Sequence, residues 1–96
     1  MKIIKLFKKT GNFAENKDLA RNIRIKEIIP EFEEGKGIIL DFEGIDAVTQ
    51  SFIHALISDL FRKYNNNVLD RLMFKSCNDT IKKIINIVIE YMQERE

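Results

Sequence analysis

Apolar and polar residues recur along this chain with two different periods, and the switches between them mark out the elements. Lys2 to Phe7 sets isoleucines among lysines at the two-residue period of a half-buried strand. Thr10-Gly11-Asn12 reads as a turn. From about Asn16 to Glu33 the positions Leu19, Ile23, Ile25, Ile28, Ile29 and Phe32 recur at helical spacing, with Asn16 as N-cap and Gly35 as stop. Pro30 falls inside that helix and predicts a kink or a split, because it lacks a backbone donor and crowds the preceding turn. Gly37 to Phe42 is a short continuous apolar run ending in an acid, which predicts a buried central strand.

After the polar turn of Glu43, Gly44 and Asp46, a second helix is expected from about Thr49 to Tyr64, with Phe52, Ile53, Leu56, Ile57, Leu60, Phe61 and Tyr64 on its apolar side. Asn65-Asn66-Asn67 reads as a loop, and Val68 to Phe74 as a weaker strand near an edge, since Asp70 and Arg71 interrupt it. Asn78 or Asp79 caps a last helix with Ile81, Ile84, Ile85, Val88 and Met92 on one face. The order β-α-β-α-β-α predicts an α/β fold: a mostly parallel or mixed sheet of three or four strands with three helices. The strand order is not legible. A length of 96 residues predicts a single domain over 1–96.

Composition narrows the function. Sixteen basic against 15 acidic residues give a net charge of +1, which argues against nucleic acid as the main partner. Lys2, Lys5, Lys8 and Lys9 form a mild cluster that fits a solvated strand edge. One cysteine and one histidine leave no disulfide framework and no Cys- or His-rich metal site. The opening MKIIKLF is too short an apolar run for a signal peptide, and no stretch approaches the roughly 20 apolar residues of a membrane span. The expected location is the cytoplasm, with no cofactor, no metal and no membrane partner.

Few residues offer chemistry. Asp41, Glu43 and Asp46 cluster after the central strand, where open α/β sheets place ligands, but acids in an exposed turn usually serve solvation. His54 lies at the edge of an apolar stripe, and no nucleophile, base and orienting group assemble around it. Cys77 sits between a strand and a helix; it fits either a small buried hydrophobe or a thiolate activated by the helix dipole. In the last helix, Ile87, Ile89 and Tyr91 widen the apolar surface beyond a one-sided stripe, so that helix is either sandwiched or meets a partner.

The stretch Ile38 to Tyr64, IILDFEGIDAVTQSFIHALISDLFRKY, carries a resemblance. A buried strand ending in Leu-Asp-Phe, a Glu-Gly-Ile-Asp turn, and Thr-Gln-Ser-Phe opening an amphipathic helix resemble the centre of STAS-like domains, relatives of the sulphate transporter and anti-sigma factor antagonist domains. Asn16 to Arg21 upstream and Phe74 to Asn78 downstream continue it. In the bacterial antagonists a serine at the start of this helix is phosphorylated by a partner ATPase-kinase of the GHKL type. Laying that strand on Leu40-Asp41 puts Ser51 at the serine's position, with Thr49-Gln50-Ser51-Phe52 where antagonists have Asp-Ser-Ser-Gly.

At 100° per residue, Ser51, Ala55, Ser58 and Arg62 fall together, opposite Ile53 and Leu60. This predicts an exposed Ser51 in the first turn, where a phosphate would meet the positive end of the helix dipole. Thr49 or Ser51 equally serves as a plain cap. The expected function is a non-enzymatic regulatory interaction module, a candidate phosphoprotein of bacterial-type signalling that resembles an anti-sigma factor antagonist. Its expected partner face is Asp46, Thr49, Gln50, Ser51, Ser58 and Arg62, and its expected partner is a GHKL-type ATP-binding protein. The alternative is a constitutive homo- or hetero-oligomeric scaffold built on Ile87, Ile89 and Tyr91. An enzyme or ligand-binding role for Asp41, Glu43, Asp46 and His54 is the remaining reading.

Overall fold

The computed structural model describes residues 1–65 and 67–94. In chain order the elements are β1 (Lys2–Lys5), a short helix α1 (Phe7–Thr10), β2 (Phe13–Ala14), α2 (Lys17–Ile23), a π-helical turn (Arg24–Ile28), α3 (Ile29–Glu33), β3 (Ile38–Asp41), β4 (Ala47–Val48), α4 (Gln50–Tyr64), α5 (Asn67–Arg71), β5 (Leu72–Lys75) and α6 (Asp79–Glu94). The α/β class and the parallel pairing match the sequence expectation. β3 lies in the centre of a three-stranded sheet of order β1-β3-β5, parallel to both neighbours. A second, two-stranded parallel sheet joins β2 to β4.

The central place of β3 follows from its sequence. Ile38 and Leu40 are fully buried and Ile39 is half-buried, whereas β1 is mostly exposed and β5 is exposed at Met73 and Lys75. β5 takes an edge, as its charged surroundings predict. β1 takes the other edge, where Lys2 of β1 and Lys9 of α1 both reach Glu27, at 3.9 and 2.8 Å. One sheet face is core, with Ile4, Leu40 and Phe74 side by side in register and Ile38 beside Leu72. A strand has only two sides, so the opposite face presents Ile3, Ile39 and Met73.

The run from Lys17 to Glu33 is divided rather than kinked. Asn16 caps it through Oδ1, which accepts from the Asp18 and Leu19 N–H groups at 2.9 and 3.1 Å. The π turn then widens the helix, closing with the Ile29 N–H on the Arg24 carbonyl. Pro30 follows at the start of α3, where a missing N–H leaves nothing unpaired. Gly35, with φ +77°, ends the run as expected.

One expectation needs correcting. Val68 to Phe74 is not a continuous strand: residues 67–71 are helical and only 72–75 are extended. Val68 turns into the core. Arg71 lies 4.3 Å over the Phe32 ring and donates to the Phe32 and Lys36 carbonyls, which ties α5 to the end of α3. These bonds between segments far apart in sequence outweigh the weak local strand pattern.

α4 is the column of the molecule. It packs against α2 on one side and α6 on the other, burying Phe52, Ile53, Leu56, Ile57, Leu60 and Phe61. On the α2 side the contact has a polar pin. Arg24, only 8 % exposed, donates from Nη1 to the Ala55 carbonyl at 2.6 Å and places Nη2 3.0 Å from Asp59 Oδ2. Arg24→Ala removes a charge-assisted bond and the packing of the side-chain stem, and is expected to cost about 2 kcal/mol. For a domain this size that is a fall of roughly 10 °C in Tm. Arg62→Ala, which cuts an exposed pair to Asp59, is expected to cost about 0.5 kcal/mol or less. Equal melting temperatures for the two variants would remove Arg24 from its place as the pin.

Candidate functional site

The first turn of α4 is set in place by the segment before it. β3 ends at Asp41, which is buried and whose Oδ1 accepts from the Glu43 N–H at 2.9 Å, bending the chain sharply. Gly44 takes φ +90°, a conformation side chains disfavour, and a Cβ there would come within 3.0 Å of the Phe7 ring. This is why Leu-Asp-Phe-Glu-Gly ends in glycine. Asp46 and Ala47 then donate to the Asn12 carbonyl at 2.8 and 3.3 Å, and Thr49 to the Ala14 carbonyl at 3.0 Å. The two-stranded sheet thus fixes the entry to α4.

Thr49 is the cap. Its Oγ1 accepts from the Phe52 N–H at 3.1 Å. Ser51 therefore has no capping role. It is exposed, and its hydroxyl makes no hydrogen bond among the described residues. Ser51 lines an open cleft of about 500 Å³ together with Lys17, Gln50, His54 and Ala55. Lys17 comes from the first position of α2, because α2 and α4 run side by side in the same direction: Lys17 lies beside the start of α4, and Arg24 beside Ala55 and Asp59. The cleft so gathers a hydroxyl, an ammonium group and an imidazole at the positive end of a 15-residue helix.

Of the other expected face residues, Gln50 joins Ser51 in the cleft, whereas Asp46, Ser58 and Arg62 do not line it. Asp46 is exposed, accepts from Asn12 Nδ2 at 3.3 Å through Oδ2, and accepts from Asn78 Nδ2 at 2.9 Å through its carbonyl, so it clasps α6 to the turn. Gln50 is exposed beside Ser51. Ser58 is buried, with 3 % exposure, and is not on an open face. The helical wheel places it opposite the core stripe, but α4 is covered on two sides. Arg62 is exposed and paired to Asp59 at 2.6 Å, yet eleven residues along a helix put it about 16 Å from Ser51.

In α6, Asn78 is the cap, Oδ1 accepting from the Ile81 N–H at 2.9 Å. Ile87 and Tyr91 are exposed, at 49 % and 48 %, while Ile89 is half-buried against the core and does not join them. Burial pushes the Cys77 thiol up from its ordinary range, with Asp41 adding to the shift and Lys82 opposing it. That direction favours a protonated thiol over a reactive thiolate.

No three His, Cys, Asp or Glu side chains among the described residues gather to hold a metal ion. Asp41 is enclosed, while Glu43 and Asp46 face solvent. Among the described residues no helix is long and apolar enough to cross a membrane.

Sequence reading missed two residues here. Lys17 reaches the cleft from a helix far earlier in the chain, and nothing local announces that. Arg24 did leave a signal: it sits at i+4 from Ala20 and i−4 from Ile28, both fully buried, so a charge was written into an apolar stripe.

Comparison with known proteins gives one result. The family model described as "STAS-like domain of unknown function (DUF4325)" matches residues 23–82, more than half of the chain, and takes in the β3 strand, the turn and all of α4. No curated protein and no solved structure matches the chain.

If Thr49 is the cap and Ser51 a free hydroxyl, the two residues separate in a stability measurement. Thr49→Ala is expected to lower unfolding free energy by about 1 kcal/mol, and Ser51→Ala to change it by about 0.5 kcal/mol or less. Urea unfolding of both variants decides it; a larger loss at Ser51 would reverse the assignment.

Proposed function

The chain belongs to the STAS-like domain family, and on that premise we propose that it is a non-enzymatic regulatory module whose partner surface is the first turn of α4. Ser51 is its phosphoacceptor, and the partner is a GHKL-type ATP-binding protein, in the manner of an anti-sigma factor antagonist acting in the cytoplasm. One observation carries this reading: the Ser51 hydroxyl is exposed and unbonded among the described residues, while Thr49 already does the capping. A cap serine would be structural. A second, free hydroxyl two residues later has no structural duty.

The chemistry around it suits a switch. A phosphate adds close to two negative charges and three acceptor oxygens. On Ser51 it would meet the open N–H groups of the first turn and the Lys17 ammonium. The fold therefore tolerates the charge, while an incoming partner seated on Gln50, Ser51 and His54 would have to desolvate it. Release of the partner on phosphorylation follows from that cost.

A second reading, a constitutive homo- or hetero-oligomeric scaffold, draws on the exposed Ile87 and Tyr91 of α6. Affinity capture from native lysate with the parent, Ser51→Ala and Ser51→Asp as baits separates the two. The switch reading expects a GHKL-type protein held by the parent and Ser51→Ala and lost by Ser51→Asp. Equal retention by all three baits contradicts it. Self-association abolished by Ile87→Asp and untouched by Ser51→Asp would establish the scaffold instead.

A further inference from the structure

The sheet of this molecule is parallel, and parallel sheets are almost always covered on both faces, because each face carries apolar side chains. Here one face is core and the other is not. Ile3, Ile39 and Met73 stand side by side across β1, β3 and β5 on that second face, with Ile3 49 % and Met73 51 % exposed. Three strands about 4.8 Å apart make this row about 10 Å wide, the diameter of one helix. Along β5 the face deepens into a groove of about 730 Å³, whose other wall is Lys82, Ile85 and Asn86 of α6.

The charge beside the row is predominantly basic, with Glu43, which shares a small cleft with Lys5 and Lys8, the exposed acid next to it. Two residues along the strands, on the same face, stand Lys5, Asp41 and Lys75 in register. Lys82 adds a third cation at the groove wall. Asp41 is 4 % exposed and its Oδ1 is taken by the Glu43 N–H, so it offers little to an incoming group. Among the described residues, Lys5, Lys75 and Lys82 are in no ion pair, whereas Lys2 and Lys9 are matched by Glu27. A second copy laid face to face on this surface would set lysines against lysines.

We propose that this open sheet face is a docking surface for an acidic amphipathic helix of a partner protein, which completes the second layer of the fold. Its apolar side lies on Ile3, Ile39 and Met73, and its carboxylates pair with Lys5, Lys75 and Lys82. The surface shares no residue with the Ser51 cleft and does not depend on that site's role.

The test is selection of a phage-displayed library of 18-residue peptides on the full chain, followed by fluorescence anisotropy of the enriched peptides. The proposal expects enriched sequences with net negative charge and apolar residues at i, i+3 or i+4 spacing. It expects affinity to fall roughly tenfold or more in Lys75→Glu/Lys82→Glu and in Met73→Asp, and to weaken with added salt. Lys75, Lys82 and Met73 are all exposed, so circular dichroism should match the parent. Neutral or basic enriched sequences, no enrichment, or affinities unmoved by these variants would overturn the proposal. So would a dimer in sedimentation that Met73→Asp turns into a monomer, since a second copy would then cover the face.

Discussion

The two-sided packing of α4 is the constraint on which the rest of this molecule depends. A helix against a sheet normally keeps one wet side, but α4 lies between α2 and α6 and keeps little more than its ends. Burying Leu56, Ile57, Leu60 and their neighbours supplies the bulk of the drive, at about 25 cal/mol per Å² of apolar surface removed from water. Hydrophobic contact alone would leave the helix free to slide along its axis. Arg24 removes that freedom by bonding a backbone carbonyl partway along α4 and a carboxylate one turn further on. The π turn that carries Arg24 widens the helix just before Pro30, so one local irregularity accommodates the proline and sits beside the pin.

The same packing decides what α4 can offer a partner. With its middle enclosed, Ser58 becomes interior, and Arg62 is left at the far end. The exposed chemistry is concentrated in the first turn, where the two-stranded sheet and the Thr49 cap hold Gln50 and Ser51 outward. The family match spans this stretch from Ile23 to Lys82 and so covers the parts that build the turn: β3, the Gly44 bend and α4. The small cluster of Ser51, Lys17 and His54 is therefore a product of helix docking, and Lys17 belongs to it only because α2 runs alongside α4.

Much of this was legible in the chain. The strand at Ile38 to Asp41, the helix at Thr49 to Tyr64, the cap at Asn16 and the stop at Gly35 each carry strong local signals that agree with the tertiary structure, whereas the choice of Thr49 over Ser51 and of Asn78 over Asp79 as caps needed the structure. What stayed hidden has physical causes. β2 and β4 are two residues long, too short for any period to show. The helical turn at Asn67 to Arg71 was hidden by the apolar residues on either side of Asp70 and Arg71, which read as a weak strand, and it is held by Arg71 bonds to segments 35 and 39 residues away. The strand order and the bareness of one sheet face depend on pairing that no single segment encodes. At the candidate site, Ser51 was singled out by the resemblance of the stretch around it and its exposure by the helical wheel; the place of Lys17 and the burial of Ser58 needed the packing.

On the reading proposed above, the Ser51 hydroxyl is the point at which this module is regulated. Phosphosite mapping of the protein isolated intact from growing and from starved cells tests it most directly. The expected result is a fraction carrying a single phosphate on Ser51, with Thr49 engaged as a cap and Ser58 enclosed, both unmodified. Full recovery of the peptide spanning Thr49 to Arg62 with Ser51 unmodified in both states, or with phosphate on another residue, would contradict it.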